Sequence, residues 1–277
     1  MRVWGGRNFT GLVVAITGAG SGIGAAIAQA LGRAGASLAL GDLDPDAATT
    51  VAGAVAGARP YRLDVTDTAS FRAFIDAAEG DLGPVDVLVN NAGVMWVGDF
   101  AREPEAAARR QIDVNLGGVI RGMKIVVPRL VDRGRGHIVN IASAASRVPA
   151  IGEATYSATK AAVLSYSTAV RLELRGSGVA VSVVMPSVVE SDLAMGTDHG
   201  LVPRLRPDQV AAAVARVIAR PRPEVYVPAG LSAVAWMLAL IPARARHALH
   251  YHSVPNQLRS STVDRRAEYE RRSGLVD

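Results

Sequence analysis

Short apolar runs alternate with stretches of helical periodicity over most of the chain. Several runs are nearly continuous Val, Leu and Ile, which is typical of strands covered on both faces of a parallel sheet. The pattern predicts strands at Leu12–Ile16, Ser37–Gly41, Tyr61–Asp64, Val85–Asn90, His137–Ala142, Val179–Met185 and Glu224–Val227. It predicts helices at Gly22–Ala34, Pro45–Ala56, Thr68–Glu79, Ala106–Arg133, Tyr156–Arg175 and Pro207–Ala219. This alternation indicates an α/β fold with a doubly wound, mainly parallel seven-stranded sheet and helices on both faces.

The composition excludes several classes of function. The 277 residues include no cysteine, which rules out disulfides, thiolate nucleophiles and sulfur-ligated metals. The net charge of +5 comes mostly from the tail after Arg244, and the main body has no basic stripe with interleaved aromatics, so we expect no nucleic-acid partner. The tail histidines share no helix face, so we expect no metal site at His247, His250 and His252. With no leader pattern at the first residues, we expect a cytoplasmic protein.

A glycine-rich turn, Thr17–Gly24, follows the first predicted strand and opens a helix. Glycines let the backbone turn tightly and approach a pyrophosphate, whose charge a helix N-terminus stabilises. This strand–turn–helix context is typical of a Rossmann-type dinucleotide site. A phosphate-binding P-loop is excluded because no Gly-Lys-Ser/Thr closes the run, and a flexible glycine loop is the alternative. We assign cofactor contacts to Gly18, Ser21, Gly22, Ile23 and Gly24.

Asp42 ends the second predicted strand, twenty residues after Gly22. A carboxylate there accepts hydrogen bonds from the ribose hydroxyls of NAD and repels the 2′-phosphate of NADP. No basic side chain at Ser21 or Leu43 offsets that repulsion, so we expect NAD(H) as the cofactor. The alternative is a structural turn over Asp42–Asp46, since Asp and Pro are common turn residues.

Tyr156 and Lys160 lie four residues apart at the start of a predicted helix and so share one face. A phenol with a pKa near ~10 is a poor proton carrier at neutral pH, and a neighbouring ammonium lowers that pKa. Lys160 is one of only two lysines in the chain. Taken alone, this spacing occurs more often in surface pairs than in catalytic sites; together with the glycine turn it indicates a proton-transferring tyrosine.

Segments in a fixed order along the chain resemble the short-chain dehydrogenase/reductase family between about Thr10 and Ala229. The matching segments are Thr17–Gly24, Asp64-Val65, Asn90-Asn91-Ala92-Gly93, Asn115, Ser143, Tyr156 with Lys160, and Pro186. After Pro186 the family usually has glycine and, four residues later, threonine. Here Ser187 and Ser191 stand at those positions.

The resemblance implies a role for each matching position. Ser143 would hydrogen-bond the substrate oxygen, Asn115 would hold a water that links Lys160 to solvent, and Tyr156 would exchange a proton with the substrate hydroxyl. Lys160 would also hold the nicotinamide ribose. The implied cofactor contacts on the adenosine side are Asp64, Val65, Asn91, Ala92 and Gly93. Those on the nicotinamide side are Tyr156, Lys160, Pro186, Val189 and Ser191.

The chain divides into a catalytic domain and a tail. We expect one NAD-binding domain over residues 1–229, with a lid over residues 187–206 whose apolar residues favour either a lipophilic substrate or simple lid packing. Residues 230–277 would pack on this domain or on a neighbouring subunit. The uncharged stretch Leu231–Ile241 is too short to span a bilayer. Docking on a membrane surface, aided by Arg244 and Arg246, is an alternative. Beyond Val254 we expect peripheral structure, with a helix near Thr262–Arg272.

These observations predict an NAD(H)-dependent oxidoreductase that interconverts a secondary alcohol and a ketone, with Tyr156 as general acid and base. A lipophilic small molecule is the expected substrate. The family resemblance implies a homodimer or homotetramer formed through the helices predicted at Ala106–Arg133 and Tyr156–Arg175. The alternatives are a non-catalytic NAD sensor and a membrane-surface protein.

Overall fold

The computed structural model describes residues 9–199, 203–242, 244, 254–260 and 263–276. Within these ranges, seven parallel strands form one sheet in the order β3-β2-β1-β4-β5-β6-β7. The strands are β1 Val13–Thr17, β2 Ser37–Asp42, β3 Ala58–Arg62, β4 Val87–Asn90, β5 Gly136–Ile141, β6 Val179–Pro186 and β7 Glu224–Val227. The predicted doubly wound parallel sheet is confirmed.

Helices cover both faces of this sheet. The longer ones are α1 Gly22–Arg33, α2 Pro45–Gly53, α3 Thr68–Leu82, α4 Glu105–Gln111, α5 Gly118–Asp132, α6 Ala154–Glu173, α7 Pro207–Ala219 and α8 Leu231–Leu240. Two helices near the C-terminus are α9 Gln257–Ser260 and α10 Val263–Arg272. Among the described helices, none is both long and apolar enough to cross a membrane.

Alternate residues of each strand enter opposite halves of the core. In β1, Val14 and Ile16 pack on the side covered by α1 and α7, whereas Val13 and Ala15 pack on the side covered by α3, α5 and α6. All five β1 residues are buried. Burial on both faces explains why the central strands appear in the sequence as continuous apolar runs instead of an alternating pattern.

The third strand differs from its predicted position. It covers Ala58–Arg62, not Tyr61–Asp64, and pairs with β2 at the sheet edge. Arg59 and Pro60 are exposed there, because an edge strand has only one paired side and tolerates proline. The first three residues of β3 form no apolar run, so the sequence pattern does not indicate them. Asp64, which the pattern assigns to the strand, lies two residues beyond its end.

The prediction of a single long helix at Ala106–Arg133 is also wrong. It is divided into α4 and α5 by a six-residue π-helical turn, Ile112–Gly117, which contains Asn115. Such wide turns often occur at functional sites.

The strand order reverses direction between β1 and β4, so the loops that leave these strands diverge. A crevice opens at this point in doubly wound sheets, at the carboxyl ends of the strands. The loops after β1, β4, β5 and β6 carry most of the predicted site residues to this edge.

Candidate active site

The glycine turn after β1 is built so closely that side chains are excluded from it. Gly18 and Gly22 have φ of 64° and 52°, a region that favours glycine. A Cβ on Gly18 would lie 2.8 Å from Cα of Ala92, and one on Gly24 would lie 2.0 Å from the carbonyl oxygen of Gly18. The turn therefore presents backbone to the crevice, with Ile23 packed against the core behind it.

The N-terminus of α1 differs from those of its neighbours. Asp44 and Asp67 accept backbone N–H bonds at the starts of α2 and α3, whereas the side chain of Ser21 makes no such bond at the start of α1. Unpaired N–H groups at a helix N-terminus bind anions. The turn and this helix end together fit the pyrophosphate of a dinucleotide.

The loop after β4 supports the turn from below. The side-chain amide of Asn91 donates to the carbonyls of Thr17 at 3.0 Å and Gly18 at 2.9 Å. The hydroxyl of Thr17 accepts from the amides of Asn91 and Ala92, each at 3.0 Å. The amide group of Asn91 thus holds the turn in place, a bracing function that the sequence did not indicate.

Asp42 lies at the end of β2 and faces the turn. Its Oδ2 accepts a hydrogen bond from the amide of Gly20 at 2.7 Å, and its Oδ1 accepts from the amide of Asp44 at 3.1 Å. Asp42 therefore organises its own turn, as the structural alternative predicts, and its position beside the glycine turn leaves the ribose contact a prediction.

On the adenosine side, Asp64 follows β3 and accepts from the amide and hydroxyl of Thr66, at 2.8 Å and 2.7 Å. Burial acts to raise the pKa of Asp64, but the hydrogen bonds from Thr66 and the charges of Arg110 and Arg62 together outweigh burial and lower the pKa. Val65 is buried and lies against Gly118, where an added Cβ would come 3.0 Å from the Val65 side chain.

Tyr156 lies in the first turn of α6 and Ser143 lies directly after β5. The two side chains approach each other, and the Ser143 hydroxyl acts to lower the pKa of the Tyr156 phenol. Ser143 Oγ also accepts from the amide of Ala145 at 3.1 Å, which fixes the serine rotamer. Tyr156 packs in an apolar cluster with Met95, Val97 and Ala145, and Leu193 covers it.

The sequence predicts a lowered pKa for the Tyr156 phenol, but in the structure this pKa is raised. Burial raises the pKa of Tyr156, the nearby Glu153 carboxylate raises it further, and the Ser143 hydrogen bond lowers it. Lys160 lies with its Nζ 5.7 Å from the Tyr156 ring centre and donates to the carbonyl of Ile141 at 3.0 Å. Burial lowers the pKa of Lys160 to about 8. In this arrangement the ammonium does not offset the effect of burial on the pKa of Tyr156.

Asn115 is fully buried in the π-helical turn. Its Oδ1 accepts from the amide of Val94 at 2.8 Å, and its Nδ2 donates to the Val94 carbonyl at 2.9 Å and to Thr159 Oγ1 at 3.1 Å. A Cβ on Gly93 would lie 3.3 Å from Oδ1 of Asn115 and 3.4 Å from Nζ of Lys160. The side chains of Asn115 and Lys160 therefore both approach the backbone of Gly93.

The loop after β6 also lines the crevice. Ser191 reaches the glycine turn, because a Cβ on Gly22 would lie 3.7 Å from Cβ of Ser191. Pro186 and Val189 are buried, and Ser191 Oγ donates to the Val189 carbonyl at 3.3 Å. Ser187 Oγ is buried and has no hydrogen-bond partner among the described residues. A buried hydroxyl without a partner fits a polar group of a bound cofactor.

Three residues near the site were not predicted: Glu153, Arg266 and Tyr269. All three are buried. Burial raises the pKa of Glu153 to about 7, against the opposite effect of Arg266. The expectation that residues beyond Val254 are peripheral is therefore wrong for Arg266 and Tyr269. The sequence signal was available in the i, i+3, i+4 spacing of Arg266, Tyr269 and Glu270, but their polarity made the helix look solvent-exposed.

The structure therefore brings the predicted residues of the glycine turn, Ser143, Tyr156, Lys160 and Asn115 to one edge of the sheet. His199 is exposed at the lid. Over the described part of the chain no group of three or more His, Asp and Glu side chains could hold a metal ion. The tail histidines His247, His250 and His252, the lid residues 200–202 and Arg246 lie outside the described residues.

Comparisons with known proteins agree with this geometry. Residues 12–201 match the family described as short chain dehydrogenase. The probable oxidoreductase EphD of Mycobacterium tuberculosis is 34% identical over 257 residues, covering 82% of this chain and 43% of that protein, so the chain spans less than half of that relative's length.

Two solved structures with a similar fold contain a nicotinamide cofactor. A short-chain dehydrogenase/reductase from Burkholderia phymatum in complex with NAD has a TM-score of 0.77 and 28% identity, over 84% of this chain and 94% of that one. A 3-ketoacyl-(acyl-carrier-protein) reductase from Brucella melitensis complexed with NADH has a TM-score of 0.75 and 29% identity, over 79% of this chain and 97% of that one.

Proposed function

This chain belongs to the short-chain dehydrogenase family, and on that premise we propose that it is an NAD(H)-dependent oxidoreductase that interconverts a secondary alcohol and a ketone. The observation that carries this proposal is that Ser143 and Tyr156 lie together at the crevice edge, with Lys160 and the glycine turn. An NAD sensor without turnover needs the turn but has no use for this pair.

The cofactor, when bound, supplies or accepts the hydride. Backbone groups of Gly18, Ser21, Gly22, Ile23 and Gly24 would bind its pyrophosphate. Asp64, Val65, Asn91, Ala92 and Gly93 would line its adenosine side. Tyr156, Lys160, Pro186, Val189 and Ser191 would line its nicotinamide side. The close packing of the turn and the unpaired hydroxyl of Ser187 support this fit.

Tyr156 is the proton carrier in this proposal. The raised pKa of Tyr156 favours its phenol, which in reduction donates a proton to the forming alkoxide; oxidation requires the phenolate, which takes the proton of the substrate hydroxyl. Ser143 holds the same oxygen and stabilises the charge that develops on it. Lys160 keeps a positive charge close to the proton-transfer site at neutral pH. Asn115 fixes the loop after β4 against α6 through its hydrogen bonds to Val94 and Thr159.

Asp42 favours NAD(H) over NADP(H). Its carboxylate lies beside the glycine turn, where it would accept from the ribose hydroxyls and repel a 2′-phosphate. The NAD and NADH bound to the two similar structures are consistent with this preference.

A lipophilic substrate fits the surroundings of Tyr156. Four apolar side chains line one side of its ring, Met95, Val97, Ala145 and Leu193, whereas the polar groups of Ser143, Lys160 and Glu153 act on it from elsewhere. A carbon skeleton held beside the Tyr156 hydroxyl would therefore meet apolar walls, and desolvating a strongly polar group there would be unfavourable.

We also propose a homodimer or homotetramer formed through α4, α5 and α6. Large apolar side chains are exposed on and between these helices, at Ile112, Val131 and Leu172. Light scattering at micromolar concentration would contradict this assembly if it gave the mass of a single chain.

A spectrophotometric screen tests the function. Lipophilic and small polar secondary alcohols and their ketones are assayed with NAD(H) and NADP(H), using wild type, Tyr156→Phe and the control Tyr166→Phe, which removes a hydroxyl elsewhere on α6. We expect turnover of lipophilic compounds with NAD(H), and a loss of about 10³-fold in kcat for Tyr156→Phe only. NADH affinity should be unchanged in both variants. Full turnover by Tyr156→Phe would overturn the proposal.

A further inference from the structure

The helix α10 reaches back across the fold to the substrate side of the site. Arg266 is buried, and its guanidinium donates to the carbonyls of Met95 at 2.7 Å, Leu193 at 3.2 Å and Met195 at 2.9 Å. Its Nε donates to Glu270 at 3.1 Å. One side chain thus joins the loop after β4, the lid and α10.

Other contacts of the same helix support this connection. The Tyr269 hydroxyl accepts from the amide of Met95 at 3.2 Å, and the Arg266 guanidinium carbon lies 5.4 Å from the centre of the Tyr269 ring. Tyr269 and Leu275 are buried in a cluster with Ala107 of α4, against which Trp96 and Leu193 pack. Leu193 therefore contacts both this cluster and the one that contains Tyr156.

The lid is tied to the tail at two further points. Gln257 exchanges two hydrogen bonds with the backbone of Asp198, accepting from its amide at 2.7 Å and donating to its carbonyl at 2.9 Å. Arg272 forms an ion pair with Asp192. Within the described residues, the lid segment 192–198 is thus held by α9 and α10 along its whole length.

From these contacts we propose that Arg266 is a positioning residue for substrate: it fixes the lid and the Met95 loop in the closed arrangement that packs Leu193 and Met95 against Tyr156. The proposal rests on the function proposed above. It assigns the tail a part in forming the substrate pocket and thereby in selecting an apolar substrate.

The chemistry of arginine suits this role. Its planar fork presents five N–H donors, and four of its hydrogen bonds here point to acceptors in three separate segments. A lysine has three donors at a single point and cannot span the same carbonyls. A buried guanidinium also needs opposite charge, which the ion pair with Glu270 supplies at 3.1 Å.

Hydrogen exchange measured by mass spectrometry tests the proposal without any substrate. We compare wild type, Arg266→Met, Arg266→Lys and Arg271→Met, the last removing an exposed arginine of the same helix. The relevant amides are those of Ala194, Met195 and Thr197, which are hydrogen-bonded within the lid, and that of Met95. We expect them to exchange about tenfold faster in Arg266→Met, less so in Arg266→Lys, and unchanged in Arg271→Met.

Kinetics supply the second readout. With the substrate found by the screen, Arg266→Met should raise KM about tenfold and leave NADH affinity unchanged, and Arg266→Lys should recover part of the loss. Unchanged lid exchange in Arg266→Met, or equal acceleration throughout the central strands, would overturn the proposal. Because exchange needs no turnover, an inactive protein with an accelerated lid would refute the proposed reaction and leave the positioning role standing.

Discussion

The carboxylate Oδ2 of Asp42 accepts a hydrogen bond from the backbone amide of Gly20 at 2.7 Å. This contact joins the end of β2 to the glycine turn and sets a negative charge at the rim of the crevice. An asparagine keeps one oxygen to accept from the amide of Gly20, but it loses the charge and the second oxygen, which accepts from the exposed amide of Asp44 at 3.1 Å.

Asp42→Asn should therefore change cofactor choice more than folding. We expect the ratio of kcat/KM with NADP to kcat/KM with NAD to rise about tenfold, as one unit of charge repulsion is removed near a 2′-phosphate. Steady-state kinetics with both cofactors measure this ratio. Asp46→Asn, which removes an exposed carboxylate in the first turn of α2, is the control and should leave the ratio unchanged.

Gly24→Ala should disrupt the glycine turn. The added methyl would lie 2.0 Å from the Gly18 carbonyl oxygen and 2.7 Å from the Asn91 amide, so the turn must shift. We expect a loss of about 3 kcal/mol in the free energy of unfolding and no measurable NADH binding.

The matched control for that change is Gly80→Ala in α3. Nothing lies within 4 Å of the position of its added Cβ, and alanine favours helix over glycine. This variant should gain about 0.5–1 kcal/mol. Urea unfolding and fluorescence titration with NADH measure both variants, and equal stability of the two would contradict the steric argument.

Glu153→Gln should alter the pH dependence of stability. In the folded chain the pKa of Glu153 is raised to about 7 from an ordinary 4.5. The protonated carboxyl is thus favoured by folding, so its contribution is fully present below the ordinary value and is lost as pH rises toward 7. Relative to Glu153→Gln, wild type should lose about 2 kcal/mol of unfolding free energy between about pH 5 and about pH 8.

Glu153→Gln should also shift the pH dependence of kcat/KM. The Glu153 carboxylate raises the pKa of Tyr156, so its removal should move the Tyr156-dependent limb of kcat/KM to lower pH. Glu173→Gln, an exposed change near the other end of α6, should have neither effect. Parallel stability curves for wild type and Glu153→Gln from acid to neutral pH would show that burial does not raise this pKa.

Ser187→Ala removes a buried hydroxyl that has no partner among the described residues. Without cofactor the variant should be as stable as wild type or more stable by about 1 kcal/mol, because an unsatisfied polar group is removed. If the hydroxyl pairs with bound cofactor, NADH affinity should fall about fivefold. Thermal unfolding and calorimetric titration measure the two effects, with Ser165→Ala on the exposed face of α6 as control.

Sequence patterns predicted the sheet well where both faces of a strand are buried. Six of the seven strands lie within two residues of their expected bounds, because continuous Val, Leu and Ile runs leave little choice. The bounds predicted for the edge strand Ala58–Arg62 are wrong because this strand has no apolar run, with Arg, Pro and Arg among its five residues, whereas the other edge strand, Glu224–Val227, keeps a Val-Tyr-Val run and its bounds are confirmed. The break between α4 and α5 was missed because a π-helical turn preserves the composition of a helix and changes only its hydrogen bonding.

The site was predictable where chemistry resides in a short motif. Glycines that exclude a Cβ and a Tyr–Lys pair on one helix face are local features. Arg266 and Tyr269 were missed because their contacts with Met95 join residues more than 170 positions apart, at 2.7 Å and 3.2 Å. The direction of the pKa shift of Tyr156 also depends on burial, which a motif does not reveal.

The π-helical turn at Ile112–Gly117 lets α4 and α5 direct their buried faces toward different parts of the protein. One extra residue in a helix rotates the later residues by about 100° around the helix axis. Ala107 of α4 accordingly faces Tyr269 and the tail, whereas Met123 and Val126 of α5 face the sheet. Variation in α4 and the tail can therefore reshape what the crevice admits, while the scaffold that supports the cofactor keeps its packing. Under the role proposed for Arg266, substrate selection would depend on α4 and the tail, and the stability of the sheet would depend on α5.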